Sequence, residues 1–297
     1  MDLIKQTEHE QSLPLKGNLT LAYLVSSVIA FIMTVASVAG LFDGPSVYPG
    51  LEAKMLPLFV GQDALNLIVG LPMLLGSMWL ARRGSLFGLL LWPGALFYIL
   101  YDYGYYVLGA PFNAFFLPYI ALMTLSAYTM IGIVASIDGN AVRERLAGTV
   151  PARLTGGVLA TLALLFMALW TSLTISALAS GTPLDLIAHV VIIMDLTVQL
   201  PALLVGGILL WRREGIAYVV AVGLLLQAGV YLAGLSVITI VQEITVGLPF
   251  DAVAVVPGFI VGAICFALIR PFSRGAAGHE HASSPGTKMA ESAPVTL

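Results

Sequence analysis

Charged residues are scarce in this chain. They make up 10% of its 297 residues, whereas about a quarter of the residues of a soluble protein are charged. Hydrophobic residues reach 59%, and the mean hydropathy is +0.97. This composition excludes an ordinary soluble domain and indicates an integral membrane protein. The few basic residues form none of the patches that nucleic-acid binding requires, so we predict no nucleic-acid partner.

Cysteine and histidine are also nearly missing. Cys265 is the single cysteine, which excludes an intrachain disulfide, a CxxC redox pair and a thiolate zinc site. His189 is the one histidine within the apolar segments, so paired-histidine haem ligation within one chain is excluded. No lysine lies in these segments, and no P-loop, HExxH, GxSxG or dinucleotide-binding fingerprint is present. We therefore predict no metal site and no cofactor, and we assign no catalytic residue.

Long apolar segments are what the chain has in abundance. Each is close to the roughly 20 residues that a helix needs to cross a bilayer. They predict an all-α integral membrane fold with eight transmembrane helices, at approximately 18–42, 57–81, 85–108, 112–136, 154–180, 186–211, 215–242 and 251–269.

The distribution of basic residues predicts the orientation. With the N-terminus inside, every one of the 13 Lys and Arg residues except Lys54 falls on the cytoplasmic side. We therefore predict a multi-pass protein of the plasma membrane with both termini in the cytoplasm. The remaining cytoplasmic parts are an N-terminal tail (1–17), a linker (137–153) and a tail rich in Ser, Gly, Ala and Pro (271–297) that we expect to be disordered.

Two similar segments indicate an internal repeat. Residues 61–83 and 194–213 each carry an acidic residue, a Leu-Pro pair, a Trp and a closing Arg-Arg. Pro-Phe-Asn-Ala at 111–114 and Pro-Phe-Asp-Ala at 249–252 open the fourth predicted helix of each half. We predict two four-helix repeats, 18–136 and 154–270. Since four is even, both would have the same orientation in the membrane.

A candidate binding pocket follows from the polar residues inside the spans. Asp63, Asp102 and Asp195 each lie about 26–28 Å along a helix from the nearest Arg pair, which places them at a similar depth in the outer half of the bilayer. Charged groups are costly at such a depth and mark functional sites. The third span adds tyrosines at helical spacing with Asp102. The predicted pocket consists of Asp63, Asn66, Tyr98, Tyr101, Asp102, Tyr105, Asp195 and Gln199. The alternative is an interfacial tyrosine belt that needs no ligand.

Three functions remain open. The first is a carrier for a small cationic or neutral solute bound in this pocket. The second is an accessory or sensor protein whose polar residues only pack helices. The third is an intramembrane enzyme on a lipid-like substrate, which is disfavoured because no DxxxD motif or His/Glu cluster is present. The lipid bilayer is the partner common to all three.

The residues of 61–122 and 189–213 resemble a group of bacterial and archaeal multispanning membrane proteins to which we can attach no activity. The resemblance implies a polytopic architecture and carries over no site residue.

Overall fold

The computed structural model describes residues 13–247 and 249–282. The protein is all-helical, with 83% helix, and the described residues contain no β-strand. Eight of the described helices are long and apolar enough to cross a membrane, which confirms the predicted number of spans and indicates a membrane protein. They are α1 (Thr20–Phe42), α2 (Leu56–Arg82), α3 (Leu86–Gly109), α4 (Phe116–Ser136), α5 (Ala152–Ser180), α6 (Leu186–Trp211), α7 (Gly215–Val246) and α8 (Ala252–Ala282).

Helix α3 forms the centre of the bundle. In its most apolar stretch, 89% of the residues are buried inside the protein, compared with 11% for α5 at the periphery. Helix α1 is tied to α3 by two side-chain hydrogen bonds: Trp92 Nε1 donates to Ser26 Oγ over 3.0 Å, and the hydroxyls of Ser37 and Tyr103 lie 3.2 Å apart. The polar groups of α3 are thus turned towards other helices and away from lipid.

Glycine allows α3 and α7 to cross in direct backbone contact. A Cβ atom built on Gly94 would lie 2.3 Å from Gly223 Cα, and one built on Gly223 would lie 2.8 Å from Gly94 Cα. Only glycine fits on both sides of this crossing. Small residues at helix crossings are typical of membrane proteins, where close packing stabilises helix association.

Helices α2 and α6 each contain one π-helical turn. The turns span Asn66–Gly70 and Asp195–Gln199, and a Leu-Pro pair follows each of them directly. A proline inside an α-helix clashes with the carbonyl four residues earlier. For Pro72 and Pro201 that carbonyl belongs to the π turn, where the wider hydrogen-bond register accommodates the ring.

A short helix (Gly139–Leu146) lies in the connection between α4 and α5, and Asp138 caps its N-terminus. The chain before α1 is fixed against the same connection, because Lys16 N donates to Ser136 O over 2.7 Å and Asp138 N donates to Pro14 O over 2.8 Å. The end of the bundle that carries this connection and the two Arg-Arg pairs is named the basic end.

The last helix differs from the sequence prediction. We predicted a disordered tail from residue 271, but α8 continues to Ala282. Phe272 and Ala276 are buried, and a Cβ on Gly275 would contact Leu146 of the short helix. Composition indicated disorder, whereas one apolar face is enough to hold this part of the helix on the bundle. The rest of the predicted tail, 283–297, and residues 1–12 of the N-terminal tail lie outside the described residues.

Candidate functional site

Asp63 is the centre of a first buried cluster, named the Asp63 cluster. The carboxyl group belongs to α2 and is 2% exposed. Tyr48 Oη donates to Asp63 Oδ2 over 2.5 Å, and Tyr106 Oη donates to Oδ1 over 3.0 Å. The contact with Tyr48 is at the short end of the range for O–H···O hydrogen bonds in proteins, and the one with Tyr106 is at the long end. A loop and two helices therefore meet at one carboxyl group.

Tyr48 comes from the connection between α1 and α2, just after the short helix Gly44–Val47. Burial, and next the neighbouring Asp63 carboxyl, raise the pKa of the Tyr48 phenol well above its usual range. The phenol therefore keeps its proton at any physiological pH and remains a donor to Asp63. The ring centroids of Tyr48 and Phe59 lie 5.2 Å apart, and this packing helps to hold the Tyr48 hydroxyl at the carboxyl group.

Asp102 ends a chain of hydrogen bonds that runs between α2 and α3. Gln62 Nε2 donates to Tyr98 Oη over 3.1 Å, and Tyr98 Oη donates to Asn66 Oδ1 over 2.9 Å. Asn66 Nδ2 then donates to Asp102 Oδ2 over 2.7 Å. All four side chains are buried. Three of them, Asn66, Tyr98 and Asp102, were predicted as pocket residues, and the structure joins them directly.

Asp195 lies in a second cluster, named the Asp195 cluster, on the other side of α3. Tyr101 Oη donates to Asp195 Oδ1 and Trp170 Nε1 donates to Oδ2, both over 2.6 Å. The rings of Tyr101 and Tyr231 meet edge to face with centroids 4.6 Å apart. Helices α3, α5, α6 and α7 therefore all contribute to this cluster.

Two predicted residues take a lesser part. The ring centroids of Tyr105 and Phe59 lie 5.3 Å apart, and the Tyr105 hydroxyl forms no hydrogen bond to any described residue. Gln199 is 5% exposed, and its Oε1 has no partner among the described residues. Gln227 on α7 is fully buried, and neither polar atom of its amide has a partner in the described part of the chain. An unpaired buried amide atom costs about 1–3 kcal/mol, so both amides have unused hydrogen-bonding capacity.

The chain of hydrogen bonds that ends at Asp102 also lies between α2 and α3 and is counted with the Asp63 cluster, so the structure divides the predicted pocket into two clusters on α3. Within the described part of the chain, no hydrogen bond joins them, and no Lys, Arg or His reaches any of the three carboxyl groups. Their compensation comes from O–H and N–H donors alone. The tyrosine-belt interpretation does not fit Tyr98, Tyr101 or Tyr106, because all three are fully buried.

Sequence analysis missed five partners of the clusters: Tyr48, Gln62, Tyr106, Trp170 and Tyr231. Trp170 could have been found, because an indole N–H in the middle of a span needs an acceptor. Tyr48 could not, because nothing in a loop sequence shows that the loop folds back onto α2. No group of three His, Cys, Asp or Glu side chains in the described ranges could hold a metal ion.

An apolar crevice of about 520 Å³ lies between α3, α4, α6 and α7. Its walls include Gly94, Phe97, Val134, Val205 and Gly223, and none of its lining residues is charged.

Comparison with known proteins identifies no relative: no family model, curated protein or solved structure matches this chain. The fold and the two clusters therefore define the protein no further than a multi-pass helical membrane protein with buried carboxyl groups.

Proposed function

We propose that the protein is a proton-coupled carrier for a small cationic or neutral solute. It lies in the plasma membrane with both termini in the cytoplasm, and two four-helix repeats of the same orientation form it. The observation that carries this proposal is the position of the carboxyl clusters, each beside a π turn in the second helix of a half. A cationic solute, or a neutral one with hydrogen-bond donors, matches carboxyl groups surrounded by aromatic rings.

Residue numbers support the repeat. Asn66 and Asp195, which begin the two π turns, are the same number of positions apart as Pro72 and Pro201. The same separation, named the repeat offset, relates Gly94 to Gly223. Residues related in this way are called equivalent below.

Reciprocal contacts between the halves support it further. A Cβ atom on Gly61 of α2 would lie 3.2 Å from the Ile238 side chain of α7. Their equivalents are Val190 of α6 and Gly109 of α3, and a Cβ on Gly109 would lie 3.4 Å from Val190. Gly94 and Gly223 are equivalent and contact each other, as two residues on a two-fold axis do. This pattern fits parallel repeats related by an axis along the membrane normal.

The repeat gives a mechanism for alternating access. Two similar halves that contact each other at a glycine crossing can rock against each other around sites that lie between helices. The π turns interrupt α2 and α6 next to the carboxyl groups, where a helix can bend at low cost. A neutral carboxyl group is cheaper to bury than a charged one, so binding and release of a proton would accompany solute exchange.

The test starts with a panel of solutes screened for thermal stabilisation of the purified protein. Solutes that stabilise are then followed in proteoliposomes with a pH gradient. We expect Asp63→Asn and Asp195→Asn to abolish proton-coupled uptake while the melting temperature stays close to that of the wild type, because Asn keeps the shape of a protonated Asp. Asp43→Asn, at an exposed position before α2, is the matched control and should transport normally.

One observation favours the accessory or sensor hypothesis: each of the three carboxyl groups accepts a hydrogen bond from a side chain of the protein itself. In that case the same Asp→Asn changes alter stability alone. A wild-type protein that no solute stabilises and that carries no proton flux would overturn the carrier proposal and leave this alternative.

A further inference from the structure

A polar pocket of about 590 Å³ lies at the basic end of the bundle, far from both carboxyl clusters. One wall is the connection between α4 and α5, with Arg143 and Glu144. The other is the turn between α6 and α7, with Arg212 and Arg213, and Tyr218 lines the pocket from α7. The proposed function makes no use of this pocket.

A backbone contact holds the two walls together. A Cβ atom on Gly139, at the start of the short helix, would lie 2.8 Å from the backbone carbon of Gly215, at the start of α7. The short helix therefore packs directly on α7, which places Arg143 beside the Arg-Arg pair. The position of the pocket is set by this packing and does not depend on flexible side chains alone.

The pocket has an excess of positive charge. Three guanidinium groups face one carboxylate, Glu144, and none of the three arginines forms an ion pair within the described residues. The Arg-Arg pair after α2 is different. Arg83 lies 3.9 Å from the centre of the Trp79 ring, and Arg82 lies 6.0 Å from that of Tyr23. Those cations are held on aromatic faces, whereas the ones at the pocket are free to bind an anion.

The backbone of Arg213 adds an independent observation. Arg213 has φ 61°, and it is the one non-glycine residue with a positive φ in the described ranges. Its equivalent at the repeat offset is Gly84, with φ 85°. The ends of α2 and α6 have the same pattern of backbone hydrogen bonds. After α2, Gly84 N donates to Ala81 O and Ser85 N donates to Leu80 O. After α6, Arg213 N donates to Leu210 O and Glu214 N donates to Leu209 O.

A helix end of this kind favours glycine at the position of Gly84 and Arg213, because the left-handed conformation is unfavourable for residues with a Cβ atom. An arginine that occupies the position in spite of this cost indicates a role for its side chain, since backbone strain concentrates at functional sites. The guanidinium group forms paired hydrogen bonds to phosphate oxygens, which lysine does not match.

We propose that Arg143, Arg212 and Arg213 form a binding site for a phosphate group. The phosphate belongs either to the headgroup of an anionic phospholipid or to free inorganic phosphate. The pocket lies at the ends of membrane-spanning helices, and basic pockets at this level bind anionic headgroups.

The experiment uses the full-length protein in nanodiscs of two compositions, neutral phosphatidylcholine and phosphatidylcholine with added phosphatidylglycerol. Thermal stability is measured in both, and the neutral discs are also titrated with inorganic phosphate at constant ionic strength. Stabilisation by phosphatidylglycerol identifies a headgroup, and stabilisation of the neutral discs by phosphate identifies the free anion. We expect Arg213→Gln to weaken the apparent affinity roughly tenfold or more, as loss of a charge-assisted hydrogen bond does.

Two further variants separate phosphate binding from protein stability and from general surface charge. Arg213→Gly should lose binding to the same extent while the protein without phosphate is at least as stable as the wild type, because glycine relieves the left-handed backbone. Arg83→Gln is the matched control: it removes one charge from the other Arg-Arg pair and should leave binding unchanged. Equal losses of apparent affinity in Arg83→Gln and Arg213→Gln would show that binding depends on diffuse surface charge, and this result would overturn the proposal. Stabilisation by neither anion in the wild type would also overturn it.

Discussion

Single side chains on α3 have sharply different roles although they are neighbours in sequence. Tyr106 is fully buried and donates its single hydroxyl proton to the carboxyl group of Asp63 at 3.0 Å, with Phe59 O as a second, more distant acceptor at 3.3 Å. Tyr105 beside it makes only ring contacts. The difference arises because successive helical positions point about 100° apart, so one phenol faces α2 and the other does not.

This pair gives a prediction at the residue scale. We expect Tyr106→Phe to lower the free energy of unfolding by about 1–3 kcal/mol, because it removes a buried donor from a carboxyl group. Tyr105→Phe also removes a phenol hydroxyl, but this one has no hydrogen-bond partner among the described residues. We expect it to change the free energy of unfolding by less than about 0.5 kcal/mol. Denaturant unfolding in detergent micelles measures both. Equal effects of the two changes would contradict the hydrogen bond assigned to Tyr106.

At the scale of helices, α3 and α7 cross in direct backbone contact between the two halves of the chain. This contact depends on a pair of glycines without any side chain between the backbones. Two other helix glycines have no such requirement: a Cβ atom on Gly76 of α2 or Gly132 of α4 would meet nothing within 4 Å.

We therefore expect Gly94→Ala and Gly223→Ala each to destabilise the protein by about 1–3 kcal/mol, as overpacking of a close contact does. Gly76→Ala and Gly132→Ala should be neutral or stabilising by about 0.5–1 kcal/mol, because alanine is the better helix former. Thermal and denaturant unfolding of the four variants compares them. Tolerance of alanine at both crossing glycines would show that α3 and α7 are farther apart than described.

For the whole molecule, the basic residues predict which end of the bundle faces the cytoplasm. The prediction is tested with single cysteines in a Cys265→Ala background at three exposed positions. Ser46→Cys and Thr182→Cys should react with an impermeant maleimide on intact cells. Asn140→Cys, at the basic end, should react only after the membrane is permeabilised. Labelling of Asn140→Cys on intact cells would show that the protein has the opposite orientation.

The sequence by itself determined the number and approximate bounds of the eight helices. This is possible because a span must satisfy its backbone hydrogen bonds internally and present about 20 apolar residues, and both requirements are local. The same reasoning selected Asp63, Asp102 and Asp195, since an acid within such a segment stands out without any knowledge of its neighbours.

Only the tertiary structure decided which groups these acids meet. Asp63 takes a donor from a loop, and Asp195 takes one from Trp170 on a different helix, so neither partner follows from helical periodicity. The division into two clusters has the same cause, because α3 directs Tyr98 and Tyr101 towards different helices. The continuation of α8 beyond residue 271 is accompanied by packing of Gly275 against the short helix, a contact between distant parts of the chain. Local pattern fixes helices in a membrane, whereas side-chain partners depend on how those helices are arranged around one another.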